Sequence, residues 1–373
     1  MAFFSATKKQ TFLGVDIGVS GIKIVELGTI KGRPLLHTYG YSERDPQLQG
    51  ESPFDNPKKT GLLLAKICKD AGTFSTQAMA ALPISNVFST IVAVPKTRDK
   101  KLMKQQIDSQ VSKLAPMPIG EMITYSTFVD QPEEEKPTQT PNKTAPQSEQ
   151  AQTKHDPNKS KKKDYARVLV TGSAKTLVQK YVEIFKTAKL QLQAIDTEAF
   201  ALIRALIGKD KGTILLVDIG FERTSLTVVD KGIPFLTRSM NIGGSYVTKK
   251  IVDQMNVPQD EAEQIKIDLA RSQKDISTIV DPFMQPIIHE IRYTLQLFAN
   301  MEYTDSAKVE KIIVTGGSSG LPMVPEMISH ALDLSVYRGD PWARVAYPEN
   351  LKSVLEEVGS RMSIAVGLAM RDL

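Results

Sequence analysis

The chain has 373 residues, with 47 lysines and arginines against 42 aspartates and glutamates, and its formal net charge is +5 at pH 7. Hydrophobic residues make up 41% and charged residues 24%, which is ordinary for a globular protein and excludes a collagen-like, coiled-coil or wholly disordered chain. The small charge predicts no nucleic-acid partner, and a single cysteine, Cys68, excludes an intrachain disulfide. The length predicts two or three domains.

No segment predicts direct insertion into a membrane. None reaches the roughly 18 consecutive apolar residues of a spanning helix. The first residues carry no secretory signal, and the helix SRMSIAVGLAMRDL at the other end has no basic amphipathic extension. We therefore expect a cytoplasmic protein that reaches a membrane only through a partner.

The first predicted elements form a β-meander with a polar end. FLGVDIGVSGIKIVELGTIKGRPLL, from Phe12, reads as an apolar strand ending at Asp16, a turn, an alternating strand carrying Lys23, and a third strand. An aspartate at a strand end can hold water on a divalent metal, and the glycine that follows lets backbone N–H groups approach a phosphate. A nearby lysine adds a positive charge for that phosphate.

The middle of the chain alternates helices and strands around one polar segment. Helical spacing places Cys68 on an apolar face, which predicts a buried thiol. Residues 131–163 are almost wholly polar, and we predict a disordered loop. The flanking stretches TYSTFVD and YARVLVTGSA read as strands, which predicts a hairpin with an inserted tip. Further on, Glu198 begins an amphipathic helix, where it either interacts with the helix dipole or positions a water.

The second half repeats the opening pattern. ILLVDIGFERTSLTVVDKGIPFL, from Ile214, again has a strand ending in Asp-Ile-Gly, a turn and two more strands, which indicates duplication of a whole domain. Glu263 and Lys266 share one helical face and form either a simple ion pair or contacts to a ribose and base. A strand then enters VTGGSSGL, which fits neither the Rossmann nor the P-loop pattern and is either a nucleotide contact or a simple turn. The predicted class is α/β or α+β with mixed sheets.

The order of these motifs resembles the actin-like ATPase superfamily. Within it, the chain most resembles the type IV pilus assembly PilM family. The resemblance is carried by FLGVDIGVSGIKIVEL, by the stretches from VAVPKTRDKK to ITYSTFV and from ARVLVTGSAK to AFALIRAL, and by TILLVDIGFERTSLTVVDKGIPFLTRSMNIGGSYVTKKI; residues 131–163 are not part of it. The resemblance implies an actin-like ATPase fold of two duplicated ribonuclease H-like domains with an inserted small αβ subdomain. The implied boundaries are 10–86 for the first domain, 87–192 for the insert, 193–210 for the return to the first domain, 211–240 for the second domain, 241–307 for its subdomain, and 308–373 for the return to the second domain.

The resemblance also implies ATP and Mg²⁺ in the cleft between the domains. Asp16 and Asp218 would face the metal from opposite sides, and Glu198 falls where the family places a water-orienting residue. The remaining implied nucleotide contacts are Gly18, Ser20, Gly21 and Lys23 for the phosphates, Gly220 and Thr224 for a second phosphate clamp, Gly243, Gly244, Glu263 and Lys266 for ribose and base, and Gly316, Gly317 and Ser318 for the nucleoside.

One departure bears on turnover. The second clamp contains Phe221, Glu222 and Arg223, where relatives prefer small and hydroxyl residues. Arg223 either binds phosphate directly or pairs with Glu222. We therefore expect ATP binding with weak or no ATPase activity.

The family resemblance implies a membrane partner. In PilM-like proteins, a groove between the first domain and the insert accepts the cytoplasmic N-terminal tail of a PilN-like bitopic membrane protein. The chain would thus be an adaptor of the inner-membrane pilus platform, with pilus motor ATPases and other copies of itself as further partners. The alternatives are an FtsA-like division or cytoskeletal filament protein and a small-molecule kinase of the same superfamily.

Overall fold

The computed structural model describes residues 11–42, 52–129, 165–271, 277–301 and 308–373, so the segment 131–163 lies outside the described residues. The chain divides into two compact units. The larger combines Met1–Val87 with Ser173–Leu373, and the smaller comprises Phe88–Gly172.

The first sheet of the larger unit begins as the predicted meander. Its strands, in spatial order, are β3 (Arg33–Tyr41), β2 (Gly21–Ile30), β1 (Phe12–Gly18), β4 (Gln77–Leu82) and β8 (Gln191–Thr197). The pairs β1–β2 and β2–β3 are antiparallel, whereas β1–β4 and β4–β8 are parallel.

The second sheet repeats this plan. Its strands, in spatial order, are β11 (Ile233–Met240), β10 (Thr224–Asp230), β9 (Ile214–Ile219), β12 (Lys311–Thr315) and β13 (Ser335–Arg338). Again the first three strands are antiparallel and the last two run parallel to β9. The predicted duplication is therefore confirmed at the level of topology.

The same two-residue turn closes one hairpin in each sheet. Lys31 and Gly32 join β2 to β3, and Lys231 and Gly232 join β10 to β11; all four residues have positive φ. Two consecutive positive φ values suit the right-handed twist of a hairpin, and glycine adopts them without strain.

Helices α1 (Pro57–Ala71) and α3 (Lys175–Thr187) cover one face of the first sheet. Asn56 caps α1 by accepting a hydrogen bond from the Lys59 amide, and Gly72 ends it in the left-handed conformation. The buried core beneath them includes Leu64, Ile67 and Cys68 of α1 and Leu13 and Val15 of β1. The predicted burial of the Cys68 thiol is confirmed.

The second half of the larger unit carries most of the remaining helices. The short α4 (Glu198–Leu202) continues as a π-helical turn, Ile203–Ile207. The others are α5 (Gly244–Met255), α6 (Gln259–Arg271), α7 (Ser277–Ala299), α8 (Val324–Leu332) and α9 (Lys352–Ala369).

Helix α9 ties the two halves of this unit together. It packs on β1 so closely that a Cβ at Gly14 would lie 2.0 Å from the carbonyl oxygen of Ala365. A Cβ at Gly367 would lie 1.9 Å from the carbonyl oxygen of Ala201, in α4. In the segment before α9, Ala346 pairs with the edge of β3 and accepts a hydrogen bond from the Leu36 amide. The first sheet is thus covered by a helix from the second half of the chain.

In its described residues, 88–129 and 165–172, the smaller unit is a three-stranded sheet with one α-helix. The order is β5 (Phe88–Pro95), β7 (Tyr165–Ala174) and β6 (Met122–Phe128), and α2 (Lys100–Val111) packs Ile107 and Val111 against it. The two strands that flank the polar segment are therefore neighbours, as predicted. The boundary differs from the expected 87–192, because α3 packs on α1 and β8 joins the first sheet.

Candidate nucleotide-binding site

The first polar strand end gathers five of the sequence-predicted residues. Asp16 lies opposite Lys23 in the β1–β2 ladder, and Nζ of Lys23 donates to Oδ2 of Asp16 at 3.2 Å. The same ammonium donates to Oγ of Ser20 in the turn, also at 3.2 Å. A Cβ at Gly18 would lie 3.2 Å from this ammonium, so the glycine leaves room beside it. Gly21, with φ of 124°, begins β2.

Asp218 lies at the corresponding end of the second sheet. Its cross-strand neighbour is Ser225, and Thr315 of β12 flanks it on the other side. Burial raises the pKa of Asp218 to about 6, with a further contribution from the negative charge of Asp16, while Lys23 acts in the opposite direction. A carboxyl in this state gains strongly from a cation.

Glu198 is the third acidic group of the cleft. Thr197 caps the helix that Glu198 begins, and Oε2 of Glu198 accepts a hydrogen bond from the Ile84 amide at 2.9 Å. Burial raises the pKa of Glu198 to about 8, and the charges of Asp16 and Asp218 add to this effect. The three carboxyl groups therefore influence one another electrostatically. In the described parts of the chain, however, no group of three or more acidic, histidine or cysteine side chains is close enough to hold a metal directly.

Hydrogen bonds connect the turn after Asp218 to the beginning of α5. The Gly244 amide donates to the carbonyl of Gly220 at 2.9 Å, and Oγ of Ser318 donates to the same oxygen at 3.0 Å. The Thr224 hydroxyl, fully buried, donates to the Ile242 carbonyl at 2.8 Å. A Cβ at Gly243 would lie 2.5 Å from the Phe221 carbonyl oxygen, so only glycine fits there.

Glu263 and Lys266 form the ion pair that their spacing allows. Nζ of Lys266 lies 2.7 Å from Oε2 of Glu263, and the Thr248 hydroxyl donates to the same carboxylate at 2.6 Å. The Lys266 ammonium also lies 5.3 Å from the centre of the Phe221 ring. Burial lowers the pKa of Lys266, while Glu263 opposes that shift. The pair stands beside Gly244, whose carbonyl accepts from Lys266 at 3.4 Å.

The glycine-rich turn after β12 approaches the second aspartate. A Cβ at Gly316 would lie 2.3 Å from Oδ1 of Asp218, and Gly316 has φ of 88°. A Cβ at Gly317 would meet nothing within 4 Å, whereas Ser318 is buried against Gly220. The fold thus places Gly316 beside Asp218, and Ser318 beside Gly220 in the turn that follows Asp218.

Two cleft residues were not predicted as site residues. Ile84 lies in the 3-10 turn Ile84–Asn86, and its amide donates a hydrogen bond to Oε2 of Glu198. Ser85, in the same turn, accepts a hydrogen bond from Nη1 of Arg223. The local sequence ISN contains no recognisable motif, and its partners lie far along the chain.

Comparisons with known proteins agree with this architecture. The chain is similar to the PilM–PilN type IV pilus biogenesis complex, with 23% identity, a TM-score of 0.77, and coverage of 96% of this chain and 97% of that chain. It is also similar to MreB5 of Spiroplasma citri bound to AMPPNP, with 12% identity, a TM-score of 0.51, and coverage of 96% and 94%. The chain has the actin-like ATPase fold.

A curated relative covers less of the chain. Cell division protein FtsA of Bacillus subtilis is 25% identical over 198 residues, which is 46% of this chain and 44% of FtsA. The chain spans about half the length of the curated FtsA proteins it matches. Among the helices that the structure describes, none combines the length and apolar character needed to cross a membrane.

The family profile described as type IV pilus assembly protein PilM matches residues 153–373, more than half of the chain. The chain belongs to the PilM family of type IV pilus assembly proteins.

Proposed function

We propose that this PilM-family chain binds ATP with Mg²⁺ in the cleft between its two duplicated sheets. The observation that carries the proposal is the electrostatic coupling of three carboxyl groups, those of Asp16, Asp218 and Glu198. Among the described residues, the ammonium that pairs with them is that of Lys23. Such an excess of acidic groups is satisfied by a cation. Mg²⁺ characteristically keeps several waters and takes one or two carboxylates together with phosphate oxygens.

The residues around the carboxylates fit a triphosphate. Asp16 and Asp218 would hold Mg²⁺ through water, and bound Mg²⁺ would neutralise charge on the phosphates. Gly18, Ser20, Gly21 and Lys23 would contact the phosphates from the first sheet, and Gly220 from the second. The buried Thr224, whose hydroxyl donates to the Ile242 carbonyl, would support this second turn from behind. Ribose and base would lie near Gly243, Gly244, Glu263 and Lys266, with Gly316, Gly317 and Ser318 beside the nucleoside.

Hydrolysis is expected to be weak or absent. A residue that positions water for attack needs an accepting oxygen, and Oε2 of Glu198 already accepts a hydrogen bond from the Ile84 amide. The second phosphate turn also carries Phe221 and Arg223 rather than small hydroxyl residues. Both features favour binding over turnover.

The proposed partner is the cytoplasmic N-terminal tail of a PilN-like bitopic membrane protein. Family membership supports this role, and the similar solved assembly is a complex of PilM with PilN. The chain would act in the cytoplasm, at the inner-membrane platform, with ATP binding biasing its conformation. Pilus motor ATPases and other copies of the chain are further proposed partners.

The decisive experiment titrates labelled N-terminal tail peptides of the membrane proteins encoded beside this chain onto the pure protein, with and without Mg-ATP. One tail should bind with an affinity that changes with nucleotide, and the Asp218→Asn variant should lose that nucleotide dependence. Failure of every tail to bind would refute the adaptor role, and failure of ATP to bind would refute the nucleotide site.

A second candidate is an FtsA-like filament protein, favoured by the partial similarity to FtsA of Bacillus subtilis. Filaments formed by the pure chain with nucleotide alone, seen by electron microscopy, would support it over the adaptor. Phosphorylation of a small molecule would instead indicate a kinase.

A further inference from the structure

A hydrogen bond links the two halves of the larger unit across the cleft. Nη1 of Arg223, in the turn between β9 and β10, donates to Oγ of Ser85. Ser85 lies in the 3-10 turn Ile84–Asn86, which follows β4 of the first sheet. Both side chains are exposed, so a ligand entering the cleft can reach them.

Both ends of this contact are anchored in the acidic cluster. The carbonyl of Arg223 accepts a hydrogen bond from the Gly220 amide at 2.8 Å, and Gly220 follows closely after Asp218. On the other side, the Ile84 amide donates to Glu198 at 2.9 Å. The guanidinium group therefore lies between the turn that follows one carboxylate and the turn that binds another.

The contact itself is weak enough to exchange. An exposed hydrogen bond to a hydroxyl competes with water, so its net contribution to stability is small. A phosphate offers two charged oxygens in the geometry that a guanidinium fork matches, which makes the stronger, charge-assisted pair. Arg223 would therefore leave Ser85 when a phosphate oxygen comes within reach.

Building on the proposed function, we propose that Arg223 is the residue that distinguishes a nucleoside triphosphate from a diphosphate. In the nucleotide-free protein Ser85 holds its guanidinium group. In the triphosphate complex the guanidinium binds the terminal phosphate. The Ser85 hydroxyl then acts as a competitor, which lowers the affinity for the triphosphate and leaves that for the diphosphate unchanged.

The test measures binding of Mg-AMPPNP and Mg-ADP by calorimetry to wild type, Arg223→Gln, Ser85→Ala and the double variant. Arg223→Gln should weaken AMPPNP binding about tenfold, the equivalent of one charge-assisted contact, and change ADP binding less than about twofold. Ser85→Ala should tighten AMPPNP binding by roughly twofold to fivefold, the worth of one exposed hydrogen bond, with ADP unchanged. In the double variant the effect of Ser85→Ala should vanish.

Arg223→Lys keeps the charge without the planar fork and should lose part of the AMPPNP affinity. Lys100→Gln and Ser112→Ala, in the inserted unit, serve as matched controls and should bind like wild type. If wild type binds neither nucleotide, the proposed function itself fails. Two results would overturn the assignment of Arg223 while leaving the nucleotide site in place, provided that wild type binds both nucleotides. One is an Arg223→Gln variant with the same ratio of AMPPNP affinity to ADP affinity as wild type. The other is an equal shift of both affinities in Ser85→Ala.

Discussion

Asp16 and Lys23 lie opposite each other in the β1–β2 ladder, with 3.2 Å between Oδ2 and Nζ, whereas Asp218 in the equivalent position faces Ser225. The duplicated motif therefore carries its compensating charge on one side only. Burial raises the pKa of Asp218, repulsion by Asp16 adds to the shift, and the asymmetry leaves this carboxylate without a lysine opposite it. The asymmetry also means that the two aspartates should respond differently to substitution.

Asp218→Asn should stabilise the nucleotide-free protein by about 1–2 kcal/mol at pH 8, because it removes a carboxylate whose ionisation opposes folding. Asp16→Asn should lower the free energy of unfolding by about 1–3 kcal/mol, since it leaves the buried Lys23 ammonium without its ionic partner. Both variants should bind Mg-ATP at least tenfold more weakly than wild type. Denaturant unfolding and calorimetry measure the two effects.

EDTA provides the matching control, because it should lower the wild-type affinity for ATP far more than that of either variant. Equal stability changes in Asp16→Asn and Asp218→Asn would contradict the charge asymmetry. Normal ATP binding by both would refute the assignment of the two aspartates.

Glu198 should make the stability of the nucleotide-free protein depend on pH. Its pKa is raised from the ordinary value of 4.5 to about 8 in the folded protein. The folded chain therefore keeps a proton that the unfolded chain releases, and this stabilisation is complete below pH 4.5 and is lost as the pH rises through about 8. Glu198→Gln should remove this pH-dependent loss of stability. The free energy of unfolding of the variant should therefore exceed that of wild type by almost nothing at pH 4.5 and by about 1–3 kcal/mol at pH 9.

Thermal unfolding at a series of pH values measures this difference. Glu121→Gln, which changes an exposed glutamate of the inserted unit, should follow the wild-type curve. A constant difference between Glu198→Gln and wild type at every pH would show that Glu198 does not titrate as described.

Gly367→Ala should destabilise the larger unit by about 2–3 kcal/mol or prevent its folding. The added methyl group would lie 1.9 Å from the backbone oxygen of Ala201, which no side-chain movement can relieve. Gly120→Ala, where a Cβ meets nothing within 4 Å, is the matched control and should change stability by less than about 0.5 kcal/mol. Equal unfolding midpoints for the two variants would disprove the close packing of α9 on α4.

The Cys68 thiol should report on opening of α1. Burial raises its pKa to about 11, so on the order of one thiol in a thousand is ionised at pH 8. Reaction with a thiol reagent such as DTNB should therefore be slow in the native protein and immediate in guanidinium chloride. Rapid reaction of the native protein would mean that α1 separates readily from the first sheet.

The repeated units were predictable because their signals are local. The two Asp-Ile-Gly strand ends and the Lys-Gly turns determine strand, turn and strand within a short stretch, and both copies fold as the pattern indicates. The end of the inserted unit could not be predicted from the sequence, because helical spacing identifies α3 but does not indicate which sheet this helix covers. The contact of Ser85 with Arg223 was equally hidden, since it depends on how two distant turns approach each other.

The packing of α9 on β1 also has a consequence for biosynthesis. The face of β1 that carries Gly14 is covered by Ala365, and the edge of β3 is completed by Ala346. A ribosome makes these strands early and the residues that cover them late. The first sheet therefore remains partly uncovered through most of translation. We expect the chain to complete its native fold only after residues 346–369 have left the exit tunnel.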